Sequence, residues 1–193
     1  MHEEGSLLDE LRDMDAEAAA RRLTALPDLH IAQLLNDLGP GRALAILDRF
    51  GPERRMRIGS AAGEDTGDQW EAAGAWPEGT VGRLMEPAPE SFTAQTRVVD
   101  ALERLRPLAA RTLVTYVFAI DEGGRLVGVV TFREMLFAQP EQRLEEIMVA
   151  RPFALHPETD VITAMREVVR RHYPVYPVCD AENRLIGVVR GAV

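Results

Sequence analysis

The sequence contains no lysine, a single cysteine and no apolar run near the ~18 residues that cross a membrane. Each absence excludes something. With one thiol there is no internal disulfide, which fits a reducing compartment. Cys179, set in an apolar stretch, reads as core rather than as a nucleophile. The histidines His2, His30, His156 and His172 are scattered, and no Cys/His metal spacing, phosphate loop or Ser/Cys–His pairing occurs. No catalytic residues are therefore expected, and the chain reads as a non-enzyme. The acidic start Met1-His-Glu-Glu lacks the basic and apolar regions of a signal peptide.

All 22 basic residues are arginine, against 31 acids, and the net charge of −9 disfavours nucleic acid and acidic lipid while favouring cations. The charge is concentrated. Between residues 63 and 80, Glu64, Asp65, Asp68, Glu71 and Glu78 face no arginine, so −5 of the net −9 lies in this stretch. Four glycines, Pro77 and two tryptophans complete it, and the composition predicts an acidic hinge in which Trp70 and Trp76 dock on something apolar.

Ahead of it, Ile31, Leu34, Leu35 and Leu38 recur at helical spacing, as do Ala43, Ile46, Leu47 and Phe50. Gly39-Pro40 and Gly51-Pro52 punctuate these helices, each proline suited to a first turn, and Asp15 is placed to cap a helix from Ala16. Residues 1–62 thus read as stacked short helices, each needing its neighbours for stability. Arg49, Arg54, Arg55 and Arg57, interrupted by Asp48 and Glu53, read as a solvated helix face.

After the hinge the chain is written twice. Tyr116–Val130 returns as Tyr176–Val189, sharing an Asp, a tight turn and Arg-Leu-(Val/Ile)-Gly-Val-Val. Upstream pairs such as Thr96 and Thr159 are 63 apart, whereas Asp121 and Asp180 are 59 apart, so the first copy holds about one extra helical turn near residues 106–110. Each copy reads as β-α-β-β-α, with helices over 96–110 and 159–172 and strands over 114–120, 126–130, 175–179 and 185–189. Val98, Leu102, Leu105, Val161, Met165 and Val168 are expected to face inward. Met85, Met135 and Met148 are likewise expected in the core.

These residues resemble a tandem pair of cystathionine β-synthase (CBS) domains, a Bateman module. Trp76-Pro-Glu-Gly-Thr80-Val-Gly-Arg-Leu-Met85 and Gly128-Val-Val-Thr-Phe-Arg-Glu-Met-Leu136 are further similar to the cytosolic part of MgtE-type magnesium transporters. The resemblance implies an α+β fold, an N-terminal helical superhelix followed by the CBS pair. Its divisions are 1–62 helical domain, 63–80 hinge, 81–140 first CBS domain and 141–193 second CBS domain, cut short at its last helix. It implies a regulatory, Mg²⁺-sensing and gating region on the cytoplasmic face of the inner membrane. It further implies a piece that is not itself membrane-inserted, that dimerises through its CBS domains and that is expected to be followed by its own transmembrane domain.

Two ligands follow from the resemblance. A regulatory Mg²⁺ wants carboxylate oxygens from several elements, and the candidates are Glu64, Asp65 and Asp68 with Glu158 and Asp160. The same acids suit a solvated hinge and a helix N-terminus. Gln139, Val161, Ile162 and Thr163 depart from the more polar family pattern. ATP or another adenine nucleotide is the second ligand. Gly128-Val-Val-Thr131-Phe-Arg-Glu134 fits the family's Gly-x-x-(Thr/Ser)-x-x-Asp motif with Glu for Asp. Thr131 and Glu134 equally fit a helix capping box. In the second copy Arg190 and Val193 occupy the hydroxyl and acid positions, so at most one full site is expected. A stand-alone adenine-nucleotide sensor and a ligand-free dimerisation module remain the alternatives.

Overall fold

The computed structural model describes residues 2–110 and 113–191, and the side chains from residue 7 onward within them. Two compact units divide at Glu86/Pro87.

The first unit consists of helices α1 (His2–Asp13), α2 (Ala16–Leu23), α3 (Asp28–Asp37), α4 (Pro40–Leu47), α5 (Pro52–Ala61), α6 (Glu64–Gly74) and α7 (Val81–Leu84). None exceeds 12 residues, too short to be stable alone, so packing sustains them. Both apolar stripes are inward: Ile31, Leu35, Ala43 and Ile46 are fully buried, and Leu34, Leu47 and Phe50 nearly so. Asp15 caps α2 by accepting from Ala18 N at 2.9 Å, and Pro40 and Pro52 sit in the first turns of α4 and α5.

The stretch expected as a hinge holds a folded helix. Trp70 and Ala73 of α6 belong to the core of the first unit. Two features make this possible. Trp70 supplies a large apolar face, and Gly67 lies so close to α5 that a Cβ there would stand 2.7 Å from the Gly59 carbonyl oxygen. Trp76 covers Gly82 in the same unit.

Short helices leave many carbonyls without partners, and arginines supply donors. Arg42 donates from Nε and Nη2 to Leu11 O at 3.0 and 2.7 Å and also reaches Met14 O. Arg54 donates to Thr24 O at 2.7 Å and Leu26 O at 2.9 Å while pairing with Asp28 at 3.0 Å. Arg83, 7 % exposed, donates to Gly74 O and Trp76 O at 3.1 and 3.3 Å and pairs with Asp48. The other arginines of the expected solvated face are also engaged: Arg57 with Asp28, Arg55 with Asp48 and Arg49 with Glu78.

The chain passes to the second unit through β1 (Glu86–Pro87). There follow β2 (Ser91–Thr93), α8 (Val98–Ala109), β3 (Tyr116–Ile120), β4 (Leu126–Thr131), α9 (Phe132–Phe137), α10 (Leu144–Ile147), β5 (Val149–Ala150), α11 (Val161–Val168), β6 (Val175–Cys179) and β7 (Leu185–Arg190). One sheet runs β2-β3-β4-β5, with β2 parallel to β3 and the other pairs antiparallel, while β6 and β7 pair antiparallel in a second sheet. The extra turn of the first copy is in α8, 12 residues against 8 in α11.

The copies meet at their hairpin tips. Asp121 Oδ1 accepts from Gly123 N and Arg125 N at 2.8 and 2.9 Å, and Asp180 Oδ1 from Glu182 N and Arg184 N at 3.0 and 2.8 Å. The turns close through the left-handed residues Gly124 and Asn183. Leu126 N then donates to Asn183 O at 2.9 Å and Leu185 N to Gly124 O at 3.1 Å, a reciprocal exchange between copies. Beneath it Phe118 and Leu126 pack with Cys179 and Val188 in one shared core. Cys179 is fully buried, and burial raises its thiol pKa to about 11, as suits a structural cysteine.

Met165 differs from expectation: it is 56 % exposed, and Ala164 is the buried residue of α11. Ile162 and Val169 are exposed beside it, forming an uncovered apolar stripe. Met135 is fully buried, whereas Met85 and Met148 are half-buried.

The side chains of Arg57 and then Arg54 hold the Asp28 carboxyl below its ordinary pKa. A depressed folded pKa contributes stability above the unfolded value that is lost as pH falls through the folded one. Asp28→Asn should therefore lower the urea midpoint at neutral pH and flatten the loss of stability below about pH 4. Arg54→Ala should cost about 1–3 kcal/mol. Acid limbs that superimpose for the Asp28→Asn and parent chains would show the clamp contributes nothing.

Candidate functional site

Thr131 ends β4 and caps α9. Its hydroxyl accepts from Glu134 N at 3.1 Å, while Glu134 Oε2 accepts from Thr131 N at 3.1 Å and from the hydroxyl at 3.0 Å. The capping box is therefore complete. Both residues of the box line a groove of about 1040 Å³, together with Val114, Thr115, Phe132, Arg133 and Ile147 and the exposed Leu113, Leu136 and Phe137. Apolar walls carrying a few convergent polar groups are the usual make-up of a small-molecule site. The carboxylate and hydroxyl can meet ribose or other hydroxyls, and Arg133 can meet an anion. Arg133 and the aromatic residues were not singled out in the sequence, although Phe132 and Arg133 stand within the motif itself.

In the second copy, Arg190 ends β7 where Thr131 ends β4. The matching acid position, Val193, lies outside the described residues.

The candidate cation ligands are distributed over both units. Glu64 and Asp65 occupy the first turn of α6 and Asp68 the next. Glu158 is exposed ahead of α11, and Asp160 is the N-cap of that helix, accepting from Thr163 N at 2.9 Å. The Thr163 hydroxyl and N–H hold the Asp160 carboxyl below its ordinary range. Among the described residues no three His, Cys, Asp or Glu side chains converge as a metal site would require.

The CBS domain model matches residues 81–141 and 144–190. The chain belongs to the CBS-domain family. The two matches fall on the two copies, and the groove at Thr131 is lined by residues of the first together with Ile147 of the second. Beyond the CBS pair, the chain is 31 % identical over 157 residues to the magnesium transporter MgtE of Thermus thermophilus, covering 80 % of this chain and 34 % of that protein. MgtE of Bacillus subtilis is 26 % identical over 115 residues, 59 % of this chain and 26 % of its own length. The chain thus spans about a third or less of these curated relatives. A crystal structure of the cytosolic domain of the Mg²⁺ channel MgtE in complex with ATP superposes with a TM-score of 0.80 at 27 % identity, covering 95 % of this chain and 75 % of that one. Among the described residues no helix is long and apolar enough to cross a membrane.

Because the capping box holds α9 at the groove edge, Thr131→Ala should cost about 1 kcal/mol in urea unfolding, with Thr131→Ser close to the parent. Equal losses for Ala and Ser would mean that the γ-methyl, not the hydroxyl, matters here.

Proposed function

We propose that this chain is the cytosolic regulatory region of an MgtE-type magnesium transporter, one that senses Mg²⁺ through acidic residues and gates a transmembrane domain. The likeness to the MgtE cytosolic domain carries the reading, because at 95 % coverage it takes in both the helical unit and the CBS pair. The cation would be bound by Glu64, Asp65 and Asp68 together with Glu158 and Asp160. No catalytic residue takes part. The place of action is the cytoplasmic face of the inner membrane.

The mechanism is electrostatic. The carboxylates of α6 have no cationic neighbour in the sequence between residues 63 and 80. A hard divalent ion binds carboxylate oxygens while keeping part of its water, so occupancy replaces repulsion with attraction and draws the chain together. That closure is what would be transmitted to the pore. The chain acts as a homodimer through its CBS domains, a reading supported by the uncovered stripe of Ile162, Met165 and Val169 and by exposed Leu136 and Phe137.

Small-angle scattering tests both statements. Going from EDTA to about 10 mM Mg²⁺ should reduce the radius of gyration, and an unchanged radius would refute cation-driven closure. The same curves should give a mass twice the 21.4 kDa of one chain; the mass of a single chain would remove the dimer.

The groove at Thr131 and Glu134 supports adenine-nucleotide binding as a second ligand function. The similar cytosolic domain was crystallised with ATP. Calorimetry with ATP should give one saturable site per chain, weakened about tenfold by Glu134→Ala through the loss of a charged hydrogen bond. A flat isotherm at physiological ATP would exclude this ligand.

A further inference from the structure

The first unit carries a second groove; two of its acids, Glu64 and Asp68, are shared with the proposed cation site, but that site explains neither Glu71 nor the groove's apolar lining. Its volume is about 740 Å³, and its floor is apolar, with Leu44, Leu47 and Trp70 all nearly buried. One wall is a continuous face of α6 on which Glu64, Asp68 and Glu71 recur at i, i+4 and i+7, spanning about 10 Å along the axis. The opposite wall is the matching face of α5, where Met56 is 73 % exposed at the rim.

The charge on the α6 wall is uncompensated. Glu64, Asp68 and Glu71 have no hydrogen-bond or ion-pair partner among the described residues. Arg55, on the α5 side of the groove, is paired with Asp48 in the same groove at 3.1 Å, and the other nearby arginines are engaged outside it, Arg54 and Arg57 with Asp28 and Arg49 with Glu78. The chain therefore leaves an apolar trough with one negative wall and an exposed methionine, a side chain that adapts to varied partners.

We propose that this groove of α4, α5 and α6 docks a basic amphipathic helix from another polypeptide, its Leu or Met face on Trp70 and Met56 and its Arg or Lys side chains at i, i+4 and i+7 against Glu64, Asp68 and Glu71. The dimensions agree. A three-turn helix about 10 Å across occupies roughly 1,250 Å³, so a groove of this volume accepts about the inward half of one. An ion alone would need the carboxylates but not the apolar floor or Met56. Helix-in-groove recognition uses all three.

The test uses the full 193-residue chain and a fluorescently labelled peptide of about four turns, with Arg at i, i+4 and i+7 and Leu on the adjoining face. Anisotropy should show saturable binding with a Kd of roughly 1–100 µM, and peptide binding should slow amide exchange over residues 55–75. Glu71→Arg and Met56→Ser, both exposed substitutions outside the proposed cation ligands, should each weaken binding about two- to fivefold. A peptide with Glu at the position facing residue 71 should recover affinity for the Glu71→Arg chain. Because Glu64 and Asp68 are shared with the proposed cation site, binding is measured in EDTA, and since neither substitution touches Glu64, Asp65, Asp68, Glu158 or Asp160, failure of cation sensing leaves this result unaffected. No saturation by about 1 mM peptide, equal binding of a peptide with all three Arg changed to Glu, or absence of the charge-swap recovery would each overturn the proposal.

Discussion

Short elements dominate this chain, and the unpaired backbone groups at their ends are the constraint on which everything else rests. A helix of 8 to 12 residues, as in α1–α6, spends a large share of its length on carbonyls and N–H groups without internal partners. Burying such ends without donors would cost more than the small cores return. Three arginines therefore reach back onto the carbonyl ends of earlier helices: Arg42 on Leu11 and Met14, Arg54 on Thr24 and Leu26, and Arg83 on Gly74 and Trp76. A planar guanidinium donates in several directions at once, which an ammonium on a flexible stem does less well. The absence of lysine thus has a structural counterpart, since each clamp uses more than one donor of the fork.

In the second unit aspartates play the complementary part. Asp121 and Asp180 each accept two backbone N–H groups and fix the tips of the two hairpins. With the tips fixed, strand ends of one copy exchange hydrogen bonds with the other, and Phe118 and Leu126 share a core with Cys179 and Val188. A change that loosens one copy is therefore felt by the other. The Thr131 groove lies on a separate core, in which Val114, Phe132 and Ile147 pack with Met135 and Leu144.

The sequence was most legible where pattern and physics coincide. The duplicated strand-turn-strand, the stripes of α3 and α4, the Asp15 cap and the longer first-copy helix are all present as read. The hinge is the instructive difference. Five acids and four glycines within residues 63–80 are a linker composition, yet Glu64–Gly74 is helical because Trp70 buries a large surface and Gly67 permits close approach to Gly59. That Trp70 docks was expected, but that its docking and the approach of Gly67 to Gly59 make the stretch a helix of the first unit depends on packing that composition does not carry. Met165 shows the same limit from the other side. Its periodicity is right for an apolar face, but a face can look toward the molecular interior or toward a partner, and α11 turns Ala164 inward instead. In the Thr131 groove the capping box was readable from spacing, whereas the walls supplied by Leu113, Val114 and Ile147 come from distant segments.

The sequence by itself determined the periodicities, the duplication, the family and the sign of the charge, because each is carried by residues close together in the chain or by a repeat that can be aligned with itself. Tertiary structure alone decided which carbonyls the arginines clamp, that the acidic stretch folds as α6, and which carboxylates remain without partners beside an apolar trough. Those outcomes depend on how separate helices pack on one another, whether the partners are 7 residues apart, as Arg83 and Trp76, or 31, as Arg42 and Leu11, and there burial and hydrogen-bond geometry outweigh local propensity.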